Sequence, residues 1–252
     1  MAPPLILVTN DDGIRAEGLS CLSDAVAGLG DVWVVAPDSP QSAQSHALTL
    51  HKPLRVKEHG PQRLSVSGTP TDCVFMGVLH LLPRQPDLVL SGINHGPNVG
   101  DDVSYSGTAS AALEGCLMGI PSIAFSHINF RSPDFTDGAR FARQIAAKIL
   151  EVGLPPRVYL NVNFPDVPAG TLRGVRAGSL GRRWYENAIV AKKDPRGRPY
   201  YWIGGSGFHF EDVPGSDCNA LTDHHISVTP IRADLTAEEH LGFVRGLELT
   251  LQ

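Results

Sequence analysis

Cysteine is scarce in this chain, with four residues among 252, and none of them forms a CxxC pair. Zinc sites and dithiol redox sites commonly use that spacing, so neither class is indicated. Three of the four cysteines fall in segments that we predict to be helical, which favours buried free thiols and a reducing, cytoplasmic location. The four residues are Cys21, Cys73, Cys116 and Cys218.

Long apolar runs and an excess of positive charge are also missing. No apolar segment approaches the ~20 residues of a membrane span, and the start Met1-Ala2-Pro3-Pro4 lacks the basic residues of a signal peptide. The net charge is -5. A nucleic-acid polymer or an anionic membrane would require a basic face, so we expect neither as a partner. A small phosphorylated substrate is still compatible with this charge, because a metal and backbone amides can hold it.

The hydrophobic content of 42% is sufficient for a full core. Strand and helix patterns alternate along the first two thirds of the chain, which predicts an α/β fold: a Rossmann-like, doubly wound and mostly parallel sheet. The predicted strands cover 5–8, 32–36, 88–90, 122–126 and 158–162, and the predicted helices cover 17–28, 69 to about 82, 108–119 and 135–152.

The pattern changes near Pro165. Short alternating runs, AIVA at 188–191 and YYWI at 200–203, flank the turn signal DPRG at 194–197, which predicts a protruding β-hairpin. Residues 235–249 are interpreted as a closing helix. We therefore expect a catalytic core over 1–164, and a hairpin and helix extension over 165–252 that packs on the core and forms an oligomer interface.

The motif VTNDDG places Asp11 and Asp12 directly after the apolar run 5–8. Four consecutive apolar residues indicate a strand buried on both faces, and ligands of open α/β sheets bind beyond the carboxyl ends of such strands. Gly13 permits a turn that would aim both carboxylates at one point. A hard divalent cation explains this pair economically; the alternative is a loop that only turns and caps a helix.

Two further loops follow strands of the same predicted sheet, and they carry Ser42 and Asn94. Together with Asp11 and Asp12 they offer only oxygen, a ligand set that suits Mg²⁺, Mn²⁺ or Ca²⁺ better than zinc. An open metal of this kind, completed by water, is typical of hydrolases.

Ser106, Gly107 and Thr108 begin a predicted helix. Free amides and the helix dipole form an anion site there, and we expect these residues to bind phosphate, with Asn98 as a helper. The alternative is that Ser106 or Thr108 is simply an N-cap.

Five blocks resemble the SurE family, the survival-protein-E 5′-nucleotidases: ILVTNDDGIRAEGL, VVAPDSPQSAQSHALT, GTPTDCV, PDLVLSGINHGPNVGDDVSYSGTASAALEG and GIPSIAFS. The resemblance implies a metal-dependent phosphatase of nucleoside 5′-monophosphates, with one cation, most simply Mg²⁺ or Mn²⁺, per subunit. It also implies a C-terminal hairpin and helix that build a homodimer or homotetramer. The ligands carried over by position are Asp11, Asp12, Ser42 and Asn94, and either carboxylate could orient the attacking water.

The chain departs from the family pattern at two positions. His95 stands where many members have arginine, and Ser45 stands where many have glycine. The first departure removes a permanent cation, and the second changes the backbone preference of the loop that carries Ser42.

Several other residues have two readings. His46 is either a phosphate contact or acid, or a structural hydrogen-bonding residue. Asp101-Asp102 could recruit a second ion or cap a loop, and the aromatic run 200–202 could stack a base or form an oligomer contact. His224-His225 is interpreted as surface or interface.

Three alternative functions are weighed against the 5′-nucleotidase. A broader phosphomonoesterase would also cleave 3′-nucleotides or short polyphosphate. A phosphatase with an aspartate nucleophile usually carries DxD, which NDDG is not. A non-catalytic nucleotide-binding module is the third, although no GxGxxG follows the first strand.

Overall fold

The computed structural model describes residues 2–131, 133–168, 170–186, 189–204 and 206–247. Its strands are β1 Leu5–Thr9, β2 Asp31–Pro37, β3 Val56–Gly60, β4 Arg63–Val66, β5 Leu88–His95, β6 Ser122–His127, β7 Val158–Phe164, β8 Val175–Ala177, β9 Arg183–Glu186, β10 Ile189–Lys193, β11 Pro199–Ile203, β12 Ser206–Phe210 and β13 Ile226–Arg232. Its α-helices are α1 Glu17–Val26, α2 Pro70–Met76, α3 Gly107–Leu117, α4 Thr136–Val152, α5 Asp217–Thr222 and α6 Leu241–Arg245.

A nine-stranded sheet forms the centre of the molecule, in the order β3-β4-β2-β1-β5-β6-β7-β13-β8. The strands from β4 to β7 in this order are parallel, which confirms the predicted doubly wound α/β fold. From β1 the chain continues to β2 and β4 on one side and returns with β5 on the other. The strand order therefore reverses between β1 and β5, and ligands of such sheets bind in the crevice at this point.

Strand β1 shows why the sheet is covered on both faces. Its side chains alternate, so Ile6 and Val8 pack against α1 and α4, while Leu5 and Leu7 pack on the opposite face in the cluster that includes α2. All four are buried. The apolar run therefore lies at the centre of two cores, as a parallel strand requires.

Helix α2 begins as its sequence predicts. Thr69 and Asp72 form a reciprocal capping box, and Pro70 occupies the first turn. The regular helix ends at Met76, earlier than predicted, and a wider π-type turn over Gly77–Leu81 follows, closed by the Leu82 N–H on the Gly77 carbonyl at 3.0 Å.

The C-terminal part contains the predicted hairpin, with β10 and β11 antiparallel around the turn; Ala188 lies outside the described residues. The closing helix differs from the prediction. Residues 235–237 are not helical, a 3₁₀ turn covers Glu238–His240, α6 is short, and 248–252 lie outside the described residues. This segment is exposed throughout 234–247, so little packing supports a long helix there.

Residues 165–252 also contribute β8 and β13 to the central sheet, where β13 pairs antiparallel with β7 and parallel with β8. The division into a core over 1–164 and an extension over 165–252 stays a prediction. Within the described ranges, all four cysteines are free, and no helix has the length and apolar character of a membrane span.

Candidate active site

The acidic turn after β1 is closed by its own asparagine. Asn10 Oδ1 accepts a hydrogen bond from the Gly13 N–H, and Asn10 Nδ2 donates to the Gly13 carbonyl, both at 3.2 Å. Gly13 has a φ of +97°, a region that glycine enters readily. Asp11 and Asp12 thus lie on a tight turn at the carboxyl edge of the sheet.

Asp11 is a buried carboxylate. Thr108 Oγ1 donates to Asp11 Oδ1 at 2.5 Å. Burial raises the pKa of Asp11 to about 6; the bond from Thr108 opposes this rise, and the charge of Asp12 adds to it. Ionising both carboxylates is therefore costly, and a divalent cation beside them would offset that cost.

Asp12 is held by His95, the residue that stands where arginine was expected. The backbone N–H of His95 donates to Asp12 Oδ2 at 3.2 Å, and its ring Nδ1 lies 3.1 Å from the same oxygen. The ring of His95 in turn packs edge-on against Phe135. The neighbouring Asn94 donates its amide nitrogen to the Gly96 carbonyl at 2.9 Å, which leaves its oxygen as the atom suited to a cation.

The loop that carries Ser42 is attached to both the acidic turn and α3. The Gln41 N–H donates to the Asp11 carbonyl at 2.7 Å, and Ser45 donates through its N–H to the Tyr105 carbonyl and through its hydroxyl to the Ser104 carbonyl. Ser45 has a φ of +53°, in the left-handed region that favours glycine. Ser45 therefore adopts a backbone conformation that glycine would adopt more easily. Its hydroxyl, however, anchors the loop to the Ser104 carbonyl, which glycine could not do.

His46 lies on the same loop and pairs with Glu114. Its Nε2 is 2.7 Å from Glu114 Oε2, and Glu114 is buried on α3. This contact supports the structural interpretation of His46, since it joins the loop to α3 about two turns beyond the start of that helix. A role of His46 in phosphate binding stays a prediction.

The start of α3 touches the acidic turn. Ser106 is the N-cap, with its Oγ accepting the Ala109 N–H at 3.0 Å, whereas the Thr108 hydroxyl binds Asp11 instead of capping. A Cβ at residue 107 would lie 2.9 Å from the Asp11 Cβ and 3.0 Å from its Oδ2, so glycine is required by this close approach. Asp11, one of the candidate cation ligands, and the candidate phosphate amides are thus neighbours.

Asn98 is buried in the loop between β5 and α3, and its Nδ2 donates to Ser126 Oγ at 2.8 Å. Its carbonyl accepts hydrogen bonds from Asn161 and Asn163 of β7, and its N–H donates to Asn163. These two asparagines were not among the predicted site residues. The sequence signal that could have identified them is the polar NVN within a buried strand. Asn161 and Asn163 fix the loop that carries Asn98. A direct contact of Asn98 with phosphate stays a prediction.

The extension also holds this loop. Asp217 accepts the N–H groups of Gly100, Gly181 and Cys218 at 2.7 to 2.9 Å. Asp102 binds Arg183 at 2.5 Å and the Tyr185 hydroxyl at 2.6 Å, which favours a structural use of Asp102 over recruitment of a second ion.

The other candidates lie elsewhere on the chain. The aromatic run 200–202 belongs to the hairpin, and His225, in the turn before β13, has its Nδ1 2.8 Å from the Asp223 carbonyl. Among the residues the structure describes, no group of three or more His, Cys, Asp or Glu is arranged to hold a metal.

The fold and the candidate site together define a class of protein, a doubly wound α/β fold. Two adjacent carboxylates lie where its strand order reverses, and one of them contacts the amino-terminal turn of a helix. The chain belongs to the SurE family: the family model described as "Survival protein SurE" matches residues 6–187. Two similar proteins are both called "5'-nucleotidase SurE". That of Myxococcus xanthus is 50% identical over 249 residues, covering 98% of this chain and 94% of the relative. That of Geotalea daltonii is 50% identical over 245 residues, covering 97% and 99%.

A solved structure has the same fold. The "Crystal Structure of Sure Protein from Aquifex aeolicus" superposes with a TM-score of 0.87 at 40% identity, covering 98% of this chain and all of that one. The extension is therefore included in the similarity, as well as the sheet.

Proposed function

We propose that the protein is a divalent-metal-dependent 5′-nucleotidase that hydrolyses nucleoside 5′-monophosphates to nucleoside and phosphate. Relatives that are 50% identical over nearly the whole chain carry the name of this activity. The structural observation that carries the proposal is the bond of 2.5 Å from Thr108 to Asp11. It supports a single site in which a cation and the helix amides act on one phosphate group.

We assign one Mg²⁺ or Mn²⁺ per subunit to Asp11, Asp12, Ser42 and Asn94. All four are oxygen donors, as hard cations prefer, and two carboxylates supply the charge. When bound, the ion would polarise a phosphoryl oxygen and lower the pKa of a water molecule, the chemistry that such ions supply in hydrolases.

The chain's own residues have separable roles in the proposed step. Asp11 or Asp12 accepts a hydrogen bond from the attacking water and orients it in line with the ribose 5′-oxygen. The water oxygen bonds to phosphorus and gives one proton to the carboxylate that orients it, while the bond to the 5′-oxygen breaks. The 5′-oxygen takes up one proton from solvent, and the carboxylate later returns its proton to solvent. The amides of Gly107 and Thr108 donate to phosphoryl oxygens as charge develops, where the helix dipole favours an anion.

The test is phosphate release from nucleoside 5′-monophosphates with Mg²⁺ or Mn²⁺, with and without EDTA. A panel of 3′-nucleotides and short polyphosphate tests the broader phosphomonoesterase. Nucleotide binding without phosphate release in any metal would contradict the proposal and favour the regulatory module.

Asp11→Asn and Asp12→Asn test the ligand assignment. Each variant should lose metal affinity and nearly all turnover, yet remain folded, because removing one of two crowded like charges relieves repulsion. Circular dichroism checks folding and calorimetric titration with Mn²⁺ checks binding. Full activity of either variant in EDTA would show that the site is misassigned.

We further propose that the protein acts as a homodimer or homotetramer in the cytoplasm. Four free cysteines agree with a reducing compartment, and the exposed hairpin supplies an apolar surface for assembly.

A further inference from the structure

An aromatic side chain lies next to the proposed phosphate site and is not used by the proposed mechanism. Tyr105 directly precedes Ser106, the N-cap of α3, and 66% of its surface is exposed. A tyrosine ring offers a large π face and a polar tip, the features that enrich this residue at interfaces. The position of Tyr105 next to the helix start makes it a candidate contact for a ligand bound there.

The backbone of Tyr105 is fixed on both sides. Its N–H donates to the Asp102 carbonyl at 3.0 Å, and its carbonyl accepts the Ser45 N–H at 3.1 Å. The residue thus connects the loop of Ser42 with the start of α3. Because the backbone is fixed, binding has to order only the two side-chain torsions of the ring, which keeps the entropic cost of binding a flat ligand low.

Tyr185 is a second aromatic residue near the start of α3, because its hydroxyl binds Asp102 of the preceding loop. Burial raises the pKa of Tyr185 to about 12, with smaller contributions from Asp102 and from the nearby Tyr105. The hydroxyl of Tyr185 binds Asp102, and the Arg183 guanidinium carbon lies 4.8 Å from its ring centre. Its polar end and one face are therefore engaged within the protein, whereas Tyr105 faces solvent.

We propose that Tyr105 stacks on the nucleobase of the substrate and thereby favours nucleotides over phosphate esters that lack a base. The inference rests on the proposed function. If the amides of Gly107 and Thr108 bind the phosphate, the base lies one ribose away from them. Stacking is tolerant of base identity, because every base has a π face. The residue therefore selects for the presence of a base and discriminates only weakly among bases.

The aromatic run at 200–202 and Trp184 fit this role less well. The run at 200–202 lies in the separate β10–β11 hairpin. Trp184 already stacks on His209, with ring centres 4.6 Å apart. Tyr105 alone among these is adjacent in sequence to the helix start.

The experiment compares AMP, UMP and ribose 5-phosphate as substrates of the wild type, Tyr105→Ala and Tyr105→Phe. We expect Tyr105→Ala to lower kcat/KM for both nucleotides by roughly 5- to 100-fold, the range that loss of one base–aromatic stack gives. Ribose 5-phosphate should change less than about twofold, and Tyr105→Phe should retain the wild-type preference because it keeps the ring. Phe243→Ala is the matched control, since Phe243 is similarly exposed in α6.

An equal loss for ribose 5-phosphate would show a structural role of Tyr105 and overturn the inference, as would unchanged nucleotide kinetics in Tyr105→Ala. In either outcome the wild type still releases phosphate from these esters, so the proposed function stands while the stacking fails. If the wild type releases phosphate from no ester, the proposed function fails. The same proteins are then titrated with AMP and ribose 5-phosphate, and equal wild-type affinities for both would overturn the stacking.

Discussion

The hydroxyl of Thr108 is the most informative single group in the molecule, because it joins the helix start to a buried carboxylate. Its bond lowers the pKa of Asp11 against the rise that burial causes. Removing the hydroxyl should favour protonated Asp11, and a proton on that carboxylate competes with a cation.

We therefore expect Thr108→Val to weaken Mn²⁺ binding by roughly 10- to 100-fold, as expected for a hydrogen bond to a charged group, while the side-chain volume is kept. Thr108→Ser retains the hydroxyl and should bind nearly as the wild type does. Calorimetric titration at pH 7 measures both. Equal affinities of the valine variant and the wild type would contradict a role of this bond at the cation site.

Gly107 is the second informative residue, because the acidic turn approaches its Cα closely. Gly107→Ala would place a methyl group 2.9 Å from the Asp11 Cβ, so the turn or the helix start must shift. We expect a large loss of kcat/KM, since small displacements of catalytic groups are costly.

Gly242→Ala is the matched control, because a Cβ there meets nothing within 4 Å. Steady-state kinetics and thermal unfolding of both variants give the comparison. Wild-type kinetics in Gly107→Ala would show that the contact between turn and helix is dispensable.

At the scale of elements, the capping box of α2 does more than begin a helix. Asp72 accepts the Thr69 N–H at 2.8 Å and the Thr49 N–H at 2.9 Å, while Thr69 Oγ1 donates to the Ala47 carbonyl at 2.6 Å. The far end of the Ser42 loop is thus attached to the first turn of α2. One cap therefore stabilises both a helix and the loop that carries Ser42.

We predict that Thr69→Ala lowers the free energy of unfolding by about 1–2 kcal/mol, the usual cost of losing an N-cap, and also weakens Mn²⁺ binding because the loop loses an anchor. Thr69→Ser keeps both hydrogen bonds and should restore both properties. Urea denaturation and calorimetric titration provide the measurements. An alanine variant with an unchanged unfolding midpoint would rule out this account of the cap.

At the scale of the whole molecule, the hairpin of β10 and β11 is the exposed apolar feature that we assign to assembly. In its ladder Ile189 pairs with Ile203 and Val190 with Trp202, and Trp202 and Ile203 are 63% and 88% exposed. Such strands favour aggregation unless another surface covers them.

Replacement of residues 188–204 by a short linker should therefore give a smaller particle in light scattering than the wild-type homodimer or homotetramer. Circular dichroism checks that the central sheet is retained. Trp202→Ser with Ile203→Ser is a milder variant that should weaken assembly in the same direction. An unchanged mass for the shortened protein would refute assembly through the hairpin.

Strand β7, which carries Asn161 and Asn163, was predictable from the sequence, but its neighbour in the sheet was not. The strand itself was predictable over 158–162 from its apolar residues, but the pairing of Asn161 with Thr229 and of Asn163 with Ser227 was not. Strand β13 carries Ser, Thr and Pro in place of a clear apolar pattern, and so it was missed. Its position depends on a partner that is more than 60 residues away in the chain.

The sequence by itself determined the parallel core, the acidic turn, the cap of α2 and the hairpin. Each depends on side chains a few residues apart, through apolar periodicity, a glycine at a turn or a capping pair. Only the tertiary structure decided that Thr108 binds Asp11, that His95 holds Asp12, and that Asp217 of the extension holds Gly100 of the site loop. Those contacts join residues 83 to 117 positions apart, and their geometry exists only after the sheet brings its loops to one edge.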